Sequence, residues 1–264
     1  MTDDSARHLP HSVHRYDLDP VDYARAMECA LPIAVEYGTD IPKAQLVAIQ
    51  RAGNLPAKHA LLSNNQNLYE EALRYALATL WPAEPKKFED DIASLTPVQA
   101  VRRLVRETLA RAQRNPDSMR LIAAENLYNR ADVPNRIDVL EQSPVILQID
   151  RALLRGHDLG AFRTGVSAED VYILILGLSG FATLHRHTFY ALYGMDVREA
   201  HNESGVTELA CDAVVAFLTT PMRTRQDNSY THSSPSEIVG ESVAASLYDC
   251  LLYTSDAADD IALV

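Results

Sequence analysis

Three observations predict an all-α fold. Leucine and alanine are abundant while glycine is sparse, at ten in 264 residues. Strict two-residue alternation of apolar and polar side chains is nearly absent. A fourteen-residue run without charge, Val171–Leu184, follows a helix-start signal. There Ser167 and Asp170 supply an N-cap hydroxyl and an acid three residues on. The run has no polar stripe, and a helix apolar all round must be covered on every side. It is too short to span a bilayer, which takes about 20 residues. The sequence therefore predicts a buried central helix, and a partner subunit as well as a core to cover it. Gly177 and Gly180 each cost about 1 kcal/mol inside a helix, which implies close approach of a neighbouring backbone. Gly194 supplies a left-handed stop.

The other elements follow in chain order. Residues 1–20 are polar and charged, with two prolines, and read as a disordered arm. From Val21 a helical pattern runs to Tyr37-Gly38, with Pro32 predicting a kink. Lys43–Arg51 forms a second short helix. A third is expected to start near Asn54-Leu55-Pro56, with asparagine as cap and proline in the first turn. Asn64–Asn67 then breaks the pattern before Leu68–Leu77. Three short helices feeding a longer one fit a helix-turn-helix module over residues 21–80. Trp81–Pro85 reads as a joint leading into a larger helical domain, residues 81–220. Its helices are Pro97–Arg114, Met119–Tyr128, Val145–His157, the central run and Glu208–Thr219. The first is basic, and Arg102, Arg103, Arg106, Arg111 and Arg114 are read as its solvated face. A polar tail, 221–249, follows. Residues 250–264 resemble the translated sequence of a transposase-type sequencing adapter, and are excluded from fold reasoning.

The runs Arg25–Gly38, Val47–Gly53 and Asn67–Leu73 resemble the N-terminal domain of the tetracycline-repressor family of transcriptional regulators. Ala124–Leu127, Leu153–Arg163 and Arg186–Gly194 resemble a ligand-binding and dimerisation domain from one branch of that family. The resemblance covers roughly residues 24–220. It implies a ligand-responsive repressor that binds double-stranded operator DNA as a homodimer, with the last helix pairing with the central one across a two-fold axis. On that reading Lys58, His59, Ser63 and Asn64 are groove contacts, with Lys43 and Arg51 on phosphates. Gly177, Gly180, Leu184, Leu209, Ala213 and Phe217 are candidates for the dimer interface. A small, largely apolar effector is expected among Tyr128, Phe162, Tyr172, Leu176, Phe181, His185 and Phe189.

Charge bears on the partners. The chain carries a formal −12, and residues 1–80 hold seven bases against ten acids, whereas phosphate contacts want a surplus of Lys and Arg. The alternative is a family member that dimerises and binds a ligand or protein without DNA. No Gly-x-Ser-x-Gly, phosphate-binding glycine loop or His-Glu-x-x-His is present, so no enzyme and no cofactor are expected. A rival class, a helical metal-dependent hydrolase, would use Glu125, His157, His185 and His187. His185 and His187, two apart on a helix, share no face. Glu125 stands in an apolar helix and needs a partner, for which Arg151, Arg155 and Arg186 are the candidates. Cys29, Cys211 and Cys250 form no disulfide framework or metal spacing. The first twenty residues lack a signal-peptide core, and a cytoplasmic, membrane-free protein is expected.

Overall fold

A computed structural model describes residues 16, 18–56, 58–82, 84–131, 144–221, 230 and 231. Residues 1–15, most of the 221–249 tail and all of 250–264 lie outside the described residues. Ten α-helices and one 3-10 turn make up the described chain, without a strand among the described residues, so the fold is all-α as predicted.

Helix α1 (Pro20–Tyr37) opens on Asp19, whose carboxylate accepts the Val21 and Asp22 N–H groups. Pro32 does not break it, and its ring lies on the exposed side. Helix α2 (Lys43–Ala52) follows. The third helix expected from Asn54 onward does not form. Asn54 turns left-handed at φ +49°, and only a 3-10 turn, Ala60–Leu62, precedes α3 (Asn65–Thr79). The reason is local competition. The His59 ring caps the Leu61 N–H at 3.2 Å, Ser63 donates back to the Ala60 carbonyl at 2.7 Å, and Asn64 caps α3 through the Gln66 N–H. Each contact satisfies a backbone group that a helix would have used differently. Tyr23, Met27, Ile49, Leu61, Leu68 and Tyr69 are fully buried in the first core.

The second lobe comprises α4 (Pro85–Ala93), α5 (Pro97–Arg114), α6 (Pro116–Tyr128), α7 (Pro144–Asp158), α8 (Ala168–Leu184), α9 (Arg186–Tyr193) and α10 (Ala200–Thr219). Its hub is α5, which packs on α4, α6, α7, α8 and α10. A full capping box between Thr96 and Gln99 starts it. Four of its arginines stay near the surface, three of them in ion pairs: Arg102 with Asp212, Arg103 with Glu107, and Arg106 with Glu208. Arg111, expected in solvent, is instead buried against the Phe88 ring, 5.0 Å from its centroid. Burial pulls its pKa down to about 10. α6 straddles the lobes, since its Leu121 belongs to the first core.

The Ser167–Asp170 capping box of α8 forms as predicted, with reciprocal bonds of 3.2 and 3.0 Å. The cover over α8 is one-sided. Val171, Ile175, Ser179 and Ala182 are buried, while Ile173, Leu174, Leu176 and Leu184 face outward. No heavy atom comes within 4 Å of a Cβ built on Gly177, and Gly180 meets only the Leu184 and Met119 side chains. The close backbone neighbour expected at these glycines is thus missing within the protomer. His185 interrupts the helix before α9, and Gly194, left-handed at φ +66°, stops α9. The Asp170 carboxylate also accepts from the Tyr230 and Thr231 N–H groups and the Thr231 hydroxyl, at 3.1, 2.9 and 2.7 Å. The Tyr230 ring lies beside Phe217.

Candidate functional site

Three places could carry function: a seam between the lobes, the segment before α3, and the outer faces of α8–α10.

The seam is built on Glu125, which is 6% exposed. None of the arginines expected as its partner reaches it. Arg151 pairs with Glu89, Arg155 donates to the Ile92, Ala93 and Leu95 carbonyls, and Arg186 forks onto Asp196. Glu125 accepts instead from the Tyr69 hydroxyl at 2.8 Å and from the Arg130 and Ala131 N–H groups at 3.0 and 2.9 Å. The acid thereby ties the end of α6 to the middle of α3. Burial, with Glu125 beside it, pushes the Tyr69 hydroxyl pKa well up and keeps it a donor. Arg130 completes the joint. Its guanidinium covers the Tyr128 ring at 4.6 Å and occupies the space a side chain at Gly38 would need, 2.4 Å from an ideal Cβ. Gln66 donates to the Arg130 carbonyl at 2.9 Å. Sequence reasoning marked Glu125 but not Tyr69, Gln66, Arg130 or Gly38. Gly38 read only as a helix stop, and no local pattern announces a contact 92 residues away.

Ahead of α3, Lys43, Arg51 and Lys58 are exposed. His59 is half-buried, one ring nitrogen capping Leu61 and the other 3.3 Å from the Tyr16 carbonyl. Ser63 and Asn64 are exposed, with their side chains engaged by local backbone. The six candidate DNA contacts thus split into three free-standing cations and three turn-forming groups.

On the outer face, Gly177, Leu184, Leu209 and Ala213 are exposed. Gly180 and Phe217 are not on it. Gly180 is buried towards Met119 of α6, and Phe217 turns in beneath the Arg163 guanidinium, 4.4 Å from its ring centroid.

The seven residues expected around an effector do not enclose one cavity. Phe162 is core, with Tyr172 packed against that core. Tyr128 and Leu176 are exposed. Phe181 stacks on His185 and meets Phe189 edge-on across the α8–α9 joint, at 5.2 and 5.3 Å between centroids. A cleft of about 330 Å³ lies elsewhere, between α4 and α7, with Ile92, Ala93 and Leu154 as apolar lining and Glu89, Gln148, Arg151 and Arg155 at its polar edge. Its polar groups come from two helices distant in sequence, which hides the cleft from a linear reading. No group of three His, Cys, Asp or Glu among the described residues is placed to hold a metal ion. Both Glu125 oxygens are already engaged.

Residues 97–214, from the start of α5 into α10, match the family described as tetracyclin repressor-like, C-terminal domain. Over these residues, less than half of the chain, the protein is similar to that domain of tetracycline-repressor-like regulators. No curated protein matches the chain. The matched segment supplies the α7 wall of the cleft and the uncovered faces of α8 and α10, while the α4 wall lies ahead of it. Among its described residues, no helix is long and apolar enough to cross a membrane.

Proposed function

We propose that this chain is a ligand-responsive transcriptional repressor, non-enzymatic and cytoplasmic, that acts as a homodimer on operator DNA. The seam carries the reading. One buried carboxylate joins α6 of the family-matched lobe to α3 of the N-terminal lobe, and Arg130 adds the end of α1. A small, largely apolar effector that displaced α6 would move both N-terminal helices with it. DNA and effector affinities would then oppose each other by linkage. The α4–α7 cleft is at the small end of ligand-pocket size, about 300–1,000 Å³, and its arginines are already satisfied by Glu89 and backbone carbonyls. What remains for a ligand is the apolar lining and the Gln148 side chain.

In this reading Lys43 and Arg51 meet phosphates, and Lys58 lies at the groove. The dimer requires a roughly palindromic operator, with half-sites about one helical turn apart or a multiple of it. The test is binding to DNA from the gene's own upstream region across a salt series. Sequence-selective binding that weakens steeply with salt, with a shallower slope for Lys58→Ala, supports the reading. A thermal-shift screen with small lipophilic compounds tests the effector, since a ligand of the folded state raises its stability.

The 3-10 turn favours a second reading, in which the dimer binds a ligand or protein and has lost DNA. Major-groove readers of this kind insert a helix, whereas His59, Ser63 and Asn64 are spent on turn contacts. Absence of sequence-selective binding even at low salt would establish this reading over the first.

A further inference from the structure

The α4 and α7 walls of the cleft are each a stripe along one side of a helix. Glu89, Ile92 and Ala93 recur at helical spacing on α4, as do Gln148, Arg151 and Arg155 on α7. Two of the three α7 groups reach across. Arg151 pairs with Glu89, and Arg155 donates to the Ile92, Ala93 and Leu95 carbonyls at 3.2, 2.7 and 3.2 Å. The third does not. Gln148, one turn before Arg151, is 4% exposed, and no described residue hydrogen-bonds its amide. Val145, Ile149 and Ala152 beside it belong to the core. The Gln148 side chain lines the cleft of about 330 Å³ together with Leu154. Buried polar groups are as a rule hydrogen-bonded, so an amide that folding has withdrawn from bulk water without a protein partner calls for one from outside the chain.

We infer that this cleft takes a small neutral molecule with an amide, lactam or imide edge on an apolar body, and that Gln148 is the group that recognises the edge. The inference rests on the effector reading above and names the chemistry of the ligand. Three properties of the walls select it. The Gln148 amide offers a carbonyl acceptor and an N–H donor side by side, and another amide edge answers both at once. Charge selects against ions. Glu89 and Arg151 neutralise each other, and Arg155 is spent on the carbonyls that end α4. A carboxylate or an ammonium would find every counter-charge taken and would give up its hydration without return. Size selects a single ring or a short chain, because the cleft is at the small end of the ligand-pocket range. A purely apolar molecule of that size would lie well against Ile92, Ala93 and Leu154, but it would cover the Gln148 amide and leave it unpaired. The α4 wall precedes the residues matched to the repressor-like domain, so the site depends on a helix that the match does not include.

The experiment is a ligand-detected NMR titration of the full chain with benzamide, acetophenone and toluene, which share a phenyl ring and differ in the edge they present. It is run on wild type, on Gln148→Met, and on Leu154→Trp, which fills the cleft from an exposed position on its wall. Circular dichroism monitors helix content, and Gln148→Leu takes the place of Gln148→Met if that variant loses helix. The expected result is benzamide bound about tenfold or more tightly than acetophenone or toluene, with the preference lost in Gln148→Met and binding lost in Leu154→Trp. Acetophenone or toluene binding to wild type as tightly as benzamide overturns the amide recognition and leaves an apolar effector standing. Benzamide binding that survives Leu154→Trp, or a preference that survives Gln148→Met, overturns the site. Failure of all three probes to bind overturns the inference, while the operator-DNA assay, which uses none of them, reports on the repressor reading separately.

Discussion

The two lobes bury their apolar surface to different degrees. Between Pro20 and Thr79 a single large apolar side chain, Val47, is exposed, whereas Val171–Thr219 exposes nine. The N-terminal lobe closes its core within the protomer, borrowing Leu121 from α6 to do so. The C-terminal lobe builds a core of comparable extent around α5 and still leaves one side of α8, all of α9 and one side of α10 uncovered. Small domains that bury their own apolar groups are complete as folding units. Exposed apolar surface of that extent marks a contact surface rather than a finished core.

Substitutions can break or sharpen this contrast. The largest effect is expected at the seam. Glu125→Ala leaves the Tyr69 hydroxyl and two N–H groups without their acceptor, and should cost about 3 kcal/mol in urea unfolding at any protein concentration. Next comes Gly38→Ala within the closed lobe. It forces a φ of +60° on an L-residue and evicts the Arg130 guanidinium, for a loss of about 1–3 kcal/mol. Gly177→Ala probes the open lobe. Nothing lies within 4 Å of the added methyl in the protomer, so dilute protein should melt higher by the equivalent of about 1 kcal/mol of helix propensity. That advantage should shrink at high concentration if a partner packs on Gly177, which melting curves at two concentrations would reveal. The smallest change is expected for Arg111→Met. Its folded pKa, lowered to about 10 by burial, means that the cation costs stability at every pH below that value, a cost relieved only as pH climbs from there towards the unfolded value. Removing the charge should leave stability within about 1 kcal/mol or raise it, as replacing buried ions often does. Thermal unfolding at neutral pH measures the sign.

Much of the fold could be read from local signals. The Ser167–Asp170 box and Gly194 each work through neighbours a few residues away, so spacing alone reveals them. The same signals misled at Asn54-Leu55-Pro56. An asparagine before Leu-Pro can cap a helix or turn left-handed with equal ease, and contacts from His59 and Ser63 decided for the turn. The outer face was partly legible. Gly177, Leu184, Leu209 and Ala213 lie on it, but a helix apolar all round does not say which side its own core covers, and Gly180 faces inward. The seam and the cleft were the least legible. Tyr69 and Glu125 are 56 residues apart, and Glu89 and Arg151 are 62 apart. Pairings at that range are set by how helices stack, which no residue spacing records.

The Asp170 carboxylate has a consequence for chain entropy. By holding the first turn of α8 and also Tyr230 and Thr231, it fastens two points sixty residues apart and converts α8, α9 and α10 into a closed non-covalent ring. The entropic cost of closing a loop rises only with the logarithm of its length, so one well-satisfied acid can fasten a ring this long. Every residue on the uncovered face is carried on that ring. Asp170→Ala would open it at its fastening point, giving the three helices more freedom to lose before they could meet anything.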